Sequence, residues 1–508
     1  MRAAWAMAAW RDVGWAAAGG VLFFLGYAGF GIWPLALVAW AALWQGLEAA
    51  RARGGAHVVL LGFVFGGVAH AGGYPWLLRL VDVFLGGDRV LGAALWLAHS
   101  VWFAASYALY ALLYASARAR GWPVAAAGVL PLVAVEWLFP QLFPVHLGDA
   151  FADRTRFVQI AALGGPLLVT ALAALVNAGL FETARWLARL RTLPLASGLA
   201  TAGALAAAAG YGSFALARLE TAEASAPALR VGIVQANFGV LEKRRDPDAV
   251  HRRHLEQTRE LLADGPLDLV VWPETVYSRG IAGPFPVAGD LIRGSVRTPL
   301  LFGAASVRSE DGQRRVYNSA LLIEADGTIR AAYDKNLLVP IAEQLPFAAA
   351  LSRLFPHAQH FGAADETPAL ELGALRISTP ICYEAAVPGF IRRMARSARP
   401  HLFVMLANDA WFGDSHEPWI HLAVARMRAI EHRRWVVRAT NSGVSAIIDP
   451  AGRLRARSEL LARENLRGTV RPLAGMTLYA RLGDWPGWLA AAGLLGLFAS
   501  DRLAKRLR

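Results

Sequence analysis

The stretch VGWAAAGGVLFFLGYAGFGIWPLALVAWAALWQGL, from Val13 to Leu47, holds 35 residues without a charge. One crossing of a bilayer takes about 20 apolar residues, so the stretch is too long for one span and slightly short for two full ones. Gly29, Gly31 and Pro34 lie in its middle, where a turn is cheap. It therefore reads as two spans, 13–28 and 33–49. Further uncharged runs place spans near 57–78, 90–114, 122–140, 158–180, 194–217 and 485–500. A cleavable signal peptide is not expected, because the apolar runs continue with no isolated h-region.

Loop charge orients these eight spans. With the N-terminus inside, the inner segments hold Arg2 and Arg11, Arg51 and Arg53, Arg118 and Arg120, Arg185, Arg189 and Arg191, then Arg502, Lys505, Arg506 and Arg508. The short outer loops hold only Arg79, Arg89, Arg154 and Arg156. That asymmetry follows the positive-inside rule at every turn, and merging the first two spans would invert it. Both termini are thus expected in the cytoplasm.

The whole chain has 508 residues, 56% hydrophobic and 18% charged, which excludes a disordered protein. Its net charge of +13 fits a nucleic acid or an anionic membrane surface, and the hydropathy favours the membrane; no nucleic-acid partner is expected. Cys382 is the only cysteine, so neither an intramolecular disulfide nor a cysteine-rich metal site is available. Such scarcity also suits an oxidising compartment.

From about Pro227 the texture changes to short β-rich runs alternating with amphipathic helical patterns. The expected organisation is a membrane domain of seven helices over 1–220, an outer domain over 228–476, and an eighth membrane helix over 484–501. In the outer domain LRVGIVQANF (229–238) and LDLVVWPE (267–274) read as strands. DPDAVHRRHLEQTRELLADG (246–265) reads as a helix with an Asp cap and a terminal Gly. LLFGAASV, YNSALLIEADG, LRISTPICYE and HLFVMLAND are further strand candidates, and 421–434 a further helix. Alternating strands and helices predict a layered α/β domain with reactive side chains where strands end.

Three such ends carry reactive groups: Glu274 closes VVWPE, Lys335 lies in YDKNLLVP, and Cys382 lies in TPICYE. Taken singly, a Glu or Lys after a strand is ordinarily a solvated loop residue, and a lone Cys is ordinarily core packing. Together, in that chain order, they resemble the Glu-Lys-Cys triad of the carbon–nitrogen hydrolase (nitrilase) superfamily. VQANF, VVWPET, YDKNLLVPIAEQLPF, ICYE, NDAWFGDS and the final LGDWP are similar to its membrane-embedded branch, the apolipoprotein N-acyltransferases.

The resemblance implies eight spans and an αββα nitrilase-like sandwich between the last two, on the periplasmic side of a bacterial inner membrane. It implies transfer of an acyl chain from a phospholipid, through a cysteine thioester, to the α-amino group of a diacylglyceryl-cysteine on apolipoproteins. Phospholipid, apolipoprotein and bilayer are the partners, and no cofactor is called for. Cys382 is then the nucleophile, Glu274 the general base, and Lys335 the charge beside the oxyanion, with the Tyr383 backbone N–H as a second donor. Glu343 matches the family's second carboxylate and is expected to orient Lys335 or the attacking groups. Tyr383 and Glu384 complete the CYE motif. Trp411 and Phe412 are expected to form a mobile lid over acyl chains, or to anchor at the membrane interface.

Other signals are weaker. Asn408 and Asn441 read as loop-holding residues. His251 and His254, and His416 and His421, lack a third ligand, so no metal is expected. Glu136 within a span is either functional or a buried hydrogen-bond partner. Two other functions stay open on the residues alone: a membrane-anchored amidase, and a transport or scaffold protein carrying an inactive nitrilase fold.

Overall fold

A computed structural model describes residues 2–84, 88–283, 289–310, 312–340, 342–344 and 361–506. The chain divides into two compact units, one of residues 1–75, 93–215 and 482–508, the other of 76–92 and 216–481. The second unit is therefore discontinuous: the segment 76–92, between two of the expected spans, belongs with the α/β domain.

All eight expected spans fall on helical segments. Gly55–Gly73, Arg89–Ala119, Ala161–Leu187 and Leu195–Ser225 are, among the described residues, the helices long and apolar enough to cross a membrane on their own. Arg2–Gly26, Val124–Leu138 and Trp485–Arg506 carry three more of the expected spans. The region expected as span 33–49 is a 3-10 turn, Trp33–Leu37, followed by the helix Ala39–Ala50. Those 12 helical residues rise about 18 Å, short of a hydrocarbon core of about 30 Å. The break falls where glycine allows it, with Gly29 and Gly31 at φ of 95° and 79°.

Three arginines from separate helical ends meet in this unit. Glu48 pairs with Arg118 at 2.6 Å, Arg51 at 3.4 Å and Arg185 at 3.5 Å. Glu136 is a bracket: its carboxylate accepts from Leu147 N at 2.9 Å and Thr170 Oγ1 at 2.8 Å. It thereby ties the turn Leu147–Phe151 to the helix Ala161–Leu187, which favours the hydrogen-bonding reading of this residue.

The α/β unit contains two sheets. The first comprises β1 (Leu229–Gln235), β2 (Leu269–Val271), β3 (Tyr277–Ala282), β4 (Leu300–Glu310), β5 (Gln313–Ile323), β6 (Ile329–Asp334) and β13 (Glu464–Val470), in the order β13-β1-β2-β4-β5-β6 with β3 also paired to β4. The second comprises β7 (Leu370–Leu372), β8 (Leu375–Ser378), β9 (Leu402–Ala407), β10 (Trp435–Thr440), β11 (Ala446–Ile448) and β12 (Leu454–Arg457), in the order β12-β11-β10-β9-β8-β7.

Strand alternation builds the layers. Val231, Ile233, Leu269, Val271, Ala320 and Leu322 point into a core shared with β9 and β10 of the other sheet. Their neighbours Val234, Val270, Trp272, Leu321 and Ile323 point the opposite way, into a second core with the helix Pro247–Ala263. Both faces of the first sheet are thus apolar, as expected of strands covered on both sides. The helices Pro388–Ser397 and Glu417–His432 contribute Phe390, Ile391, Leu422 and Ala425 to the core around the second sheet. The result is an αββα sandwich. Since β2 and β6 both run parallel to β4, one directly and the other through antiparallel β5, their C-terminal ends share one edge.

Candidate active site

Glu274 leaves that edge two residues after Trp272, in a loop held close to β4. Gly303 on β4 allows this approach: a Cβ there would meet Thr275 N at 2.4 Å and Glu274 Cα at 2.6 Å. Thr275 takes a φ of 47°, a left-handed conformation that a β-branched residue adopts only when its surroundings hold it. Lys243, 8% exposed, supplies part of that hold. Its Nζ donates to the Glu274 carbonyl at 2.8 Å and to Thr275 Oγ1 at 3.1 Å. Burial pushes the Lys243 ammonium down to about 8, with Glu274 pulling the other way.

Lys335 follows β6 directly, and its backbone N–H bonds the Asn318 carbonyl of β5 at 2.8 Å. Its buried ammonium lies 2.7 Å from Glu343 Oε1 and 3.5 Å from Glu274 Oε1. Burial works against the charge, but Glu343 and Glu274 outweigh it and hold the Lys335 pKa above the usual lysine value. Asn318 Nδ2 bridges the same two carboxylates, at 2.7 Å to Glu274 Oε1 and 3.3 Å to Glu343 Oε1. Both contacts to the Glu274 carboxylate fall on its Oε1. Its buried Oε2 has no hydrogen-bond partner among the described residues.

Cys382 opens the 3-10 turn Cys382–Ala386 beyond β8, with φ at 52°. Such a strained backbone persists only where the surroundings over-determine it. Glu384, fully buried, is the main constraint. Its Oε2 accepts from Ile381 N at 2.7 Å, and its Oε1 accepts from Asn336 N at 2.6 Å, Leu337 N at 3.0 Å and Tyr333 Oη at 2.7 Å. One carboxylate therefore ties the Cys382 elbow to the chain leaving Lys335. Burial pushes Glu384 up to about 7 against those donors. Cys382 keeps part of its surface open. Desolvation nevertheless pushes its thiol well above the usual cysteine value; Glu274 adds to that push and Lys335 opposes it.

The remaining expected residues separate. Asn441 pins the loop after β1, accepting from Phe238 N at 3.1 Å, donating to Phe238 O at 2.6 Å and to Asn408 Oδ1 at 3.1 Å. Phe412 is buried, its ring at right angles to Trp76 with centroids 5.1 Å apart; Trp411 beside it is half-buried. His251 and His254 bond the carbonyls of Ile292 and Val250, and His416 is exposed. His421 instead joins Asp409 and Glu417, with ligand-type atoms within 4.8 Å of one another, the one such trio among the described residues. Asp409 Oδ2 is already committed to Arg438 at 2.6 Å, so the trio is a buried ion-pair network rather than an open ligand set.

Residues 230–470 match the family model for carbon-nitrogen hydrolase, and residues 19–179 match the apolipoprotein N-acyltransferase N-terminal domain. The apolipoprotein N-acyltransferase of Azotobacter vinelandii is 33% identical over 516 residues, covering 97% of this chain and 95% of that protein. That of Pseudomonas putida is 32% identical over 518 residues, covering 96% and 97%. The chain belongs to the apolipoprotein N-acyltransferase family. Saccharomyces cerevisiae Nit3, a nitrilase-superfamily member, overlays 48% of this chain and 90% of its own at 18% identity and a TM-score of 0.38, too loosely to bear on side-chain positions.

Membership in the apolipoprotein N-acyltransferase family, with four long apolar helices, makes this a bacterial membrane protein carrying a nitrilase-like domain. Two residues that hold the site escaped the sequence reading. Lys243 sits in the charged run EKRRD, which resembles a solvated turn. Asn318 is one of several polar residues in the strand QRRVYNSALLI, and nothing in the sequence singles it out from Gln313, Arg314, Arg315 and Ser319.

Proposed function

We propose that the chain is a phospholipid:apolipoprotein N-acyltransferase whose triad is Glu274, Lys335 and Cys382. The observation that carries this reading is Glu274 Oε2, a buried carboxylate oxygen without a hydrogen-bond partner among the described residues while Oε1 is tied to Asn318 and Lys335. Glu274 takes the thiol proton, and the Cys382 sulfur attacks the ester carbonyl of a phospholipid. Lys335 Nζ and the Tyr383 N–H stabilise the oxyanion. The lysophospholipid leaves with the proton held by Glu274, and the acyl chain remains as a thioester. The α-amine of a diacylglyceryl-cysteine then attacks, Glu274 takes its proton, and the thiol is restored. Glu343 orients Lys335, and Trp411 with Phe412 covers the acyl chains.

The eight-span arrangement, with residues 228–476 in the periplasm and both termini in the cytoplasm, belongs to the same proposal. The meeting of Arg51, Arg118 and Arg185 at Glu48 supports it, because the charge rule assigns the three loops to one side. The test is mass spectrometry of the purified enzyme with phospholipid. An acyl adduct on Cys382 is expected, with one lysophospholipid per enzyme released until a diacylglyceryl peptide bearing a free α-amine restarts turnover. Steady fatty-acid release without acceptor would instead establish a hydrolase.

A further inference from the structure

The helix Glu417–His432 places His421, 5% exposed, against the nucleophile elbow. One ring nitrogen, Nε2, lies 3.2 Å from the carbonyl oxygen of Cys382. The other, Nδ1, lies 3.2 Å from Asp409 Oδ1. Asp409 follows β9 and is itself paired through Oδ2 with the fully buried Arg438 of β10. Gly443 leaves room for this pair, since a Cβ there would meet Asp409 Oδ2 at 2.1 Å.

A carbonyl oxygen only accepts, and so does a carboxylate. A neutral imidazole has one donor and one acceptor, so it satisfies one of these partners and sets its other nitrogen's lone pair against an oxygen. Both bonds form only when both nitrogens carry hydrogen. Asp409 stays ionised for this purpose: burial pushes it up, but Arg438 and His421 outweigh that and hold its pKa below the usual value. The ionisable groups placed against His421 are Asp409, Glu417 at 3.9 Å on its own helix, and Arg438 beyond Asp409, while its other nitrogen faces the Cys382 backbone carbonyl.

We infer that His421 is a positioning residue for the acyl-transfer reaction, an imidazolium that grips the Cys382 carbonyl, holds the left-handed elbow and sets a positive charge beside the nucleophile. This rests on Cys382 being the nucleophile, as proposed above. The Arg438–Asp409 pair is neutral as a unit, so it does not itself cancel a charge carried by His421 beside the Cys382 backbone.

The test uses the full-length enzyme and its single cysteine. Iodoacetamide alkylation of Cys382 is followed against pH in wild type, His421→Gln and His421→Leu, beside acyl-adduct formation from phospholipid. Glutamine reaches the Nε2 position and keeps a donor for the Cys382 carbonyl without the charge; leucine keeps neither. Both variants are expected to move the alkylation midpoint to higher pH, slowing alkylation at neutral pH by about three- to tenfold. Above the midpoint, acylation is expected to be within about threefold of wild type in His421→Gln and slower by at least about tenfold in His421→Leu. An unchanged alkylation midpoint overturns the inference, and so does a His421→Leu enzyme that acylates at the wild-type rate. Should the leucine variant fail to fold, the midpoint of the glutamine variant decides. If wild type itself forms no acyl adduct, the acyl-transfer reading fails while the alkylation midpoints still judge His421.

Discussion

Lys335 Nζ stands closer to Glu343 than to Glu274, 2.7 Å against 3.5 Å. The tighter ion pair belongs to the carboxylate that also accepts from Val339 N at 2.9 Å. Glu343 is thus the anchor of the lysine, and Glu274 makes the looser contact.

Glu343→Gln should therefore leave the base intact and free the lysine. The first burst of lysophospholipid is expected to slow by about a hundredfold or more, in the range found when an oxyanion partner is misplaced. Losing one carboxylate also lowers the Lys335 pKa, so the alkaline limb of the pH–rate profile should move to lower pH. A variant with the wild-type burst rate would show that Glu343 does not position Lys335.

Lys243→Met tests the hold on the Glu274 loop through a pH signature. The folded pKa of Lys243 is about 8, against an ordinary 10.5. Between those values the folded state carries fewer protons than the unfolded chain, so the lysine's contribution to stability rises with pH across that window. Below 8 its burial penalty is fully present. The stability difference between wild type and Lys243→Met, read from unfolding midpoints at pH 7 and pH 10, should move in favour of wild type at the higher pH. A constant difference would contradict the buried, depressed lysine.

Gly303→Ala adds one methyl group where the Glu274 loop crosses β4. Overpacking of this kind costs about 1–3 kcal/mol. The added methyl meets Glu274 Cα and Thr275 N, in the stretch that Lys243 also holds, so a displacement reaches Glu274 directly. Acyl-adduct formation is expected to fall by about a hundredfold, while iodoacetamide still alkylates Cys382. Equal loss of both reactions would point to general unfolding instead.

Reporter fusions check the orientation. A reporter active only in the periplasm should be active when joined after residue 225 and silent when joined after Arg508. The opposite pattern would invert the proposed topology. Replacing Arg51, Arg118 and Arg185 together by Ala should weaken the orientation more than replacing Arg79, Arg89 and Arg154, scored by the same reporters.

Much of the α/β unit was legible because its central strands carry uninterrupted apolar runs. LVVW and LFVMLA are continuous, as strands covered on both faces must be. Strands β3, β6, β7, β12 and β13 were among those not read: β12 alternates half-buried and exposed residues, and β13 is marked mainly by its antiparallel pairing with β1, more than 220 residues earlier in the chain. Glu274, Lys335 and Cys382 were legible as candidates because each follows a strand inside a recognisable motif. Asn318, Lys243 and the bonding partners of His421 were not, because their roles depend on which residues folding brings beside them. Asn318 lies 44 positions from Glu274, and His421 lies 39 from Cys382. Separation along the sequence carries no sign of such meetings.

The grouping of residues 76–92 with the α/β unit bears on how the chain is made. This segment is synthesised early, and residues 93–215 must follow before the rest of its unit exists. The unit therefore cannot finish folding as it emerges. Trp76 waits for Phe412, and a ribosome must add most of the protein between the two. A shortened version beginning at residue 216 would be born without that tryptophan, its phenylalanine uncovered, so trimming the membrane helices away to obtain a soluble enzyme removes part of the enzyme as well.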